Sequence, residues 1–133
     1  MAVEWIGKAS SSKPETHFAI TIDDEVVGGI GLELADPART TVSKHLGELG
    51  YWLGEKFWNH GIMTEAVIGF TDWCFASLNV IRVQAAVYER NLASARVLTK
   101  AGFQFEGTQR ARYYKDGELI DGLMFAQIKR GKS

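Results

Sequence analysis

The strongest constraint on the fold lies between residues 62 and 78, where Ile62, Ala66, Phe70, Cys74 and Leu78 recur at every fourth position. With Met63 and Val67 beside them they make one continuous apolar stripe, the pattern of a helix laid against a core. Directly afterwards, Val80–Tyr88 switches to a period of two. Ile81, Val83, Ala85 and Val87 fall on one face and Arg82, Gln84 and Tyr88 on the other. Upstream, Glu48–Leu53 (ELGYWL) reads as a strand ended by Gly54. A strand, a helix and a strand in succession imply a parallel pair joined by a crossover.

Flanking segments extend this unit. Phe18–Ile22 and Val26–Leu34 read as a β-hairpin across Asp23-Asp24, and Asp36–Arg39 as a turn. Asn91 is placed to cap a short helix running through Lys100, with Gly102 beyond its end. Phe103–Arg110 and Leu119–Ile128 read as strands joined at Lys115-Asp116-Gly117. The order β-β-β-α-β-α-β-β predicts a mixed sheet of the α/β or α+β kind, occupying residues 17–133. Residues 1–16, broken by Ser10-Ser11-Ser12 and Pro14, read as a tail or a helix remnant.

Composition narrows the function classes. The 133 residues suit one domain, and 15 basic against 16 acidic side chains leave a net charge of −1. That balance lacks the basic excess of a nucleic-acid binder. No apolar run reaches the roughly 18 residues of a membrane span, and the start lacks a secretory leader, so the expectation is a cytoplasmic protein. The single cysteine, Cys74, lies on the apolar stripe and reads as an inert core thiol. His17 and His45 have no partners at ligand spacing, so no metal is expected.

The turn Trp58-Asn59-His60-Gly61-Ile62-Met63-Thr64 sits between a strand and a helix N-terminus. Free amides and the positive end of the helix dipole make such a turn a natural anion site, and a glycine there admits close approach. Lys56 and His60 add donors nearby. On its own the turn reads more readily as a plain connection between two elements.

Asn91-Leu92-Ala93-Ser94-Ala95-Arg96-Val97-Leu98-Thr99-Lys100-Ala101-Gly102-Phe103 resembles the Asn-x-x-(Ala/Ser)-x-x-(Leu/Val)-x-x-Lys-x-Gly-Phe segment of the GNAT superfamily of N-acetyltransferases. Glu48–Leu53 and Phe57–Ala66 look like that superfamily's central strand and pyrophosphate loop. Trp58 stands where the branch containing the ribosomal-protein N-terminal acetyltransferases often has tryptophan. Phe105-Glu106-Gly107, Asp116-Gly117 and Asp121 are similar to that branch as well. The likeness runs from about His17 to Ile128, with a shortened N-terminal part.

The resemblance implies acetyl-coenzyme A bound where the strand at 48–53 splays from the strand at 80–88. Backbone groups of Tyr51, Trp52 and Leu53 would meet the pantetheine. Amides of Asn59, His60, Gly61, Ile62, Met63 and Thr64 would hold the pyrophosphate beside Trp58, and Asn91 and Ser94 would lie near the thioester. Many superfamily members carry a tyrosine acid where this chain has Leu98, which passes that role to Ser94, while Glu48 is the candidate base for the acceptor amine. The expected activity is acetyl transfer to a primary amine, of a peptide or protein N-terminus or of a small molecule. A catalytically silent acyl-coenzyme A-binding module is the alternative, and a domain without a ligand a third. The short start leaves an edge or docking face that a second copy, in a homodimer, would cover.

Overall fold

The computed structural model describes residues 4–7, 16–34 and 45–129. The expected break at Ser10–Pro14 and the turn at 36–39 lie outside those residues. The elements are β1 (Glu4–Gly7), β2 (His17–Ile22), β3 (Glu25–Leu34), β4 (Leu46–Leu53), α1 (Ile62–Ser77), β5 (Arg82–Tyr88), α2 (Leu92–Lys100), β6 (Gln104–Lys115) and β7 (Glu118–Ile128). A short 3-10 turn, Glu55–Phe57, bridges β4 and α1. The strands form one mixed sheet in the order β1-β2-β3-β4-β5-β7-β6. The mixed α/β architecture anticipated from the periodicities is present, with both hairpins and the parallel pair in place.

Two expectations are corrected. Glu4–Gly7 is neither a tail nor a helix remnant but a strand, antiparallel to β2 with Glu4 opposite Thr21 and Gly7 opposite Phe18. Four residues cannot repay helix nucleation, whereas pairing on an existing edge satisfies their backbone at once. Ile81 does not share the buried face of β5: it precedes the strand and is 51% exposed, while Val83, Ala85 and Val87 are buried. Its backbone is held at the sheet end, donating to His45 O at 2.8 Å and accepting from Lys129 N at 2.7 Å.

The helical stripe packs as its period requires. Ile62, Met63, Ala66, Val67, Phe70, Cys74 and Phe75 are all buried, and Leu78 caps the C-terminus. Phe18 of β2 joins this face to the hairpin, with ring centroids 5.8 Å from Phe70 and 5.2 Å from Trp73. Burial pushes the Cys74 thiol up to about 12, which leaves it protonated and inert as expected. The two tight turns use left-handed backbone at Asp23 and Asp24 and at Asp116 and Gly117, the geometry that matches strand twist in a two-residue hairpin.

One feature of the sheet positions the site. β4 and β5 are paired only at Leu46–Arg82, Gly47–Val83 and Glu48–Gln84. Beyond that point β4 stays on β3 as far as Leu53, and β5 stays on β7 as far as Tyr88. The sheet is therefore open between its two halves from Leu49 and Ala85 onward.

Candidate active site

Along β4 the side chains alternate. Leu49, Tyr51 and Leu53 point to the helix-covered face and pack on the core, so Glu48 belongs to the opposite face with its partner Gln84. The backbone alternates too. Gly54 N donates to Val27 O at 2.8 Å, which makes Gly28–Leu53 a non-hydrogen-bonded pair and turns Leu53 and Tyr51 away from β3. Their amides and carbonyls face the open gap. Trp52 instead spends its backbone on β3, and its ring is 62% exposed against Gly29. The Leu53 carbonyl accepts from Trp58 Nε1 at 2.7 Å, which straps the following turn to the end of β4.

That turn is shaped for anions. Asn59 (φ 64°) and Gly61 (φ 74°) are both left-handed, a setting that gathers successive N–H groups into a concavity. Gly61 is the N-cap of α1 and no side chain caps this end, so the first amides of the helix lack partners along its axis. A Cβ built on Gly61 meets no atom within 4 Å, so the space beside it is open.

The turn, the gap and α2 enclose one cavity of about 460 Å³. Tyr51, Trp52, Leu53, Trp58, Asn59, Gly61, Ile62, Met63, Thr64, Asn91 and Ser94 all line it. His60 is exposed and does not. Glu48 does not line it either, which follows from its place on the other face of β4. Asn91 caps α2 as expected, its Oδ1 accepting from Ser94 N at 3.1 Å.

Three features escaped the sequence. The Tyr51 hydroxyl lies 2.6 Å from Ser94 Oγ, where only a backbone role was expected of Tyr51. Alternation on β4 was the available signal, since it places 49, 51 and 53 together. Arg96 and Lys100 also line the cavity, four residues apart on one face of α2, and add positive charge to it. Finally, Arg112 Nη2 donates to Glu48 Oε1 at 3.0 Å. Arg112 sits in a register break of the β6–β7 arm, where left-handed Ala111 donates its N–H to Asp121 Oδ1 at 2.7 Å. No local pattern links residues 48 and 112. Leu98, the position that lacks a tyrosine, is fully buried in the core.

A family model described as Acetyltransferase (GNAT) domain matches residues 1–104. The chain belongs to the GNAT acetyltransferase family. The resemblance read from the spaced segments is thereby borne out. Among related proteins, the uncharacterized N-acetyltransferase p20 of Bacillus licheniformis is 34% identical over 130 residues, covering 96% of this chain and 70% of its own length. The crystal structure of a ribosomal-protein-S5-alanine acetyltransferase from Vibrio fischeri matches with a TM-score of 0.76 at 28% identity, covering 86% of this chain and 61% of that one. RimJ from Mycobacterium smegmatis, solved with a CoA-disulfide, matches with a TM-score of 0.76 at 27% identity, covering 86% of this chain and 54% of that one. The chain therefore spans about half to two thirds of the length of these two GNAT proteins. Among the described residues no group of three or more His, Cys, Asp or Glu could hold a metal ion, and no helix is long and apolar enough to cross a membrane.

Proposed function

We propose that this chain acts as an N-acetyltransferase, moving an acetyl group from acetyl-coenzyme A to a primary amine. The observation that carries this reading is the parting of β4 from β5 after Glu48–Gln84, which leaves the backbone of Tyr51 and Leu53 facing a cavity that ends at the anion-shaped turn. The coenzyme fits the residues present. An extended amide-bearing arm finds backbone partners on β4, and its phosphates find the turn amides with Arg96 and Lys100 on the far wall. Bound there, acetyl-coenzyme A supplies an activated acyl group.

The chain's own groups divide the remaining work. An amine attacks only when neutral, and Glu48, at the apex of the gap on the face away from the helices, is placed to accept its proton. Arg112 orients that carboxylate. An N–H of the splayed strand stabilises charge on the carbonyl oxygen as attack proceeds. Ser94 donates toward the sulfur side of the cavity. Coenzyme and acceptor thus approach from opposite faces of the sheet and meet where it is open. Holding them there itself removes much of the entropic barrier.

The acceptor is a primary amine. Protein N-termini are its first candidates, because the Vibrio protein is named for a ribosomal-protein alanine. A cytoplasmic setting suits a protein of this kind, and a second copy pairing along an end strand, β1 or β6 among the described residues, would form the homodimer. Buried Leu98, standing where a tyrosine acid is often found, favours the second reading, a module that holds the coenzyme without turnover. A screen of coenzyme A release across alanine-starting peptides, amino acids and polyamines decides between them. Release well above the blank with one class supports the enzyme; saturable coenzyme binding with no release from any class supports the silent module.

A further inference from the structure

The closest polar contact inside the cavity joins two hydroxyls. Tyr51 Oη lies 2.6 Å from Ser94 Oγ and 3.4 Å from the Ser94 carbonyl oxygen, reaching from β4 to the first turn of α2 across 43 residues of chain. Ser94 is held from the other side by the cap, its N–H on Asn91 Oδ1 at 3.1 Å. With the phenol donating to Oγ, the serine's own hydrogen is free to turn into the cavity that both residues line.

We propose that Tyr51 is the source of the proton that Ser94 delivers to the departing coenzyme A sulfur. This rests on the acetyltransferase reading and assigns it a second residue. Tyr51 is a positioning residue that acts through Ser94.

The chemistry needs such a partner. A serine that surrenders its proton alone becomes an alkoxide far more basic than the thiolate it protonates, so the transfer runs uphill. A phenol, with an ordinary pKa near 10, lies far closer to a thiol near 8.5 than a serine hydroxyl does. In the coupled step the carbon–sulfur bond breaks with its electron pair on sulfur. The Ser94 proton forms the S–H bond, the Tyr51 proton replaces it on Oγ, and a phenolate remains. Water returns a proton to Tyr51 between turnovers, while the surplus proton of the acceptor nitrogen leaves on the opposite face. Burial raises the Tyr51 pKa and its bond to Ser94 opposes that rise, so the phenol is protonated at neutral pH. Hydrogen bonds in series also strengthen one another, so the pair donates better than either hydroxyl alone.

The test needs no acceptor. Coenzyme A is bound to the full chain and its thiol titrated by thiolate absorbance, with desulfo-coenzyme A as the blank. Donation by the hydroxyl pair stabilises the thiolate, so the bound thiol ionises roughly tenfold more readily than the free one. Ser94→Ala removes all of this shift except the part that Arg96 and Lys100 supply. Tyr51→Phe removes most of it with coenzyme affinity retained, and the double variant matches Ser94→Ala alone. Arg96 and Lys100 are the charged groups lining the cavity, and they act on the thiolate in every variant alike. Where Tyr51→Phe disturbs folding, 3-fluorotyrosine placed at position 51 acidifies the phenol without changing its shape and enlarges the shift.

Equal titration of the unaltered chain and Tyr51→Phe, or no response to the fluorinated phenol, overturns the proposal and leaves Ser94 as a lone acid. A shift undiminished in Ser94→Ala also overturns the proposal, because the sulfur then takes its stabilisation from other groups; a chain that binds no coenzyme A overturns the reading beneath it as well.

Discussion

Replacing Gly61 tests the anion site while separating its two costs. Gly61 holds φ 74°, and a Cβ there meets nothing within 4 Å, so the free protein suffers only the conformational penalty. For an ordinary residue in left-handed backbone that penalty is roughly 1–2 kcal/mol. In a domain of 133 residues, about 1 kcal/mol corresponds to roughly 4 °C in Tm, so Gly61→Ala lowers the unliganded Tm by about 4–8 °C. Acetyl-coenzyme A at 100 times its Kd adds about 2.7 kcal/mol, or about 11 °C. A methyl group in the open space beside the turn amides keeps the pyrophosphate at a distance. If Kd rises about thirtyfold, the same ligand concentration adds only about 0.9 kcal/mol, or about 3–4 °C. Gly61→Asn refines the comparison, because asparagine tolerates left-handed backbone and preserves the fold better while filling the same space. Thermal shift with and without acetyl-coenzyme A, read as the ligand-induced difference within each variant, cancels the folding cost. A ligand-induced shift that is unchanged in both variants would refute the assignment of this turn to the phosphates.

Two further outcomes follow from the geometry. Arg82 holds Glu106 through two hydrogen bonds, at 2.5 and 3.1 Å, and this pairing depresses the Glu106 pKa. A carboxylate whose folded pKa lies below its unfolded one contributes stability above about pH 4.3 and loses it as pH falls through the folded value. Glu106→Gln should therefore flatten the decline of Tm below pH 4.5; an unchanged acid limb would show that the pair carries no linkage. Leu98→Tyr should not create an acid, because position 98 is sealed in the core. Overpacking and an unpartnered phenol should cost about 1–3 kcal/mol, visible as a lower midpoint in urea, and a variant of parental stability with raised turnover would contradict the packing described.

The legible parts of this protein were those whose signal lies within a few residues. The four-residue spacing of Ile62, Ala66, Phe70 and Cys74 specified α1, Asn91 specified the cap of α2, and Asp116-Gly117 specified the turn of the last hairpin. The site turn at 59–64 was legible for the same reason: a glycine at a helix start is a local statement about backbone and free amides. With three such segments in order, the sequence names eleven of the residues that line the cavity; it misses Arg96 and Lys100, and it also names His60 and Glu48, which do not line it.

Long-range pairing decided the rest. Whether Glu4–Gly7 is helix or strand depends on the free edge of β2, which no neighbour in sequence reveals. β5 and β7 both lie between β4 and β6 in the sheet, yet Arg112 reaches Glu48 from the register break of the β6–β7 arm. The meeting of Tyr51 with Ser94 requires both the alternation of β4 and the placing of the first turn of α2 beside its open end. Periods and caps are written by the chain's own covalent spacing, whereas contacts between distant residues arise only once a sheet order and a packing angle exist. Sequence by itself determined every element from β2 onward and the left-handed glycine turn at the start of α1; tertiary structure alone decided which hydroxyls, carboxylates and guanidinium groups lie together, because that choice is made by burial and strand pairing across the whole domain.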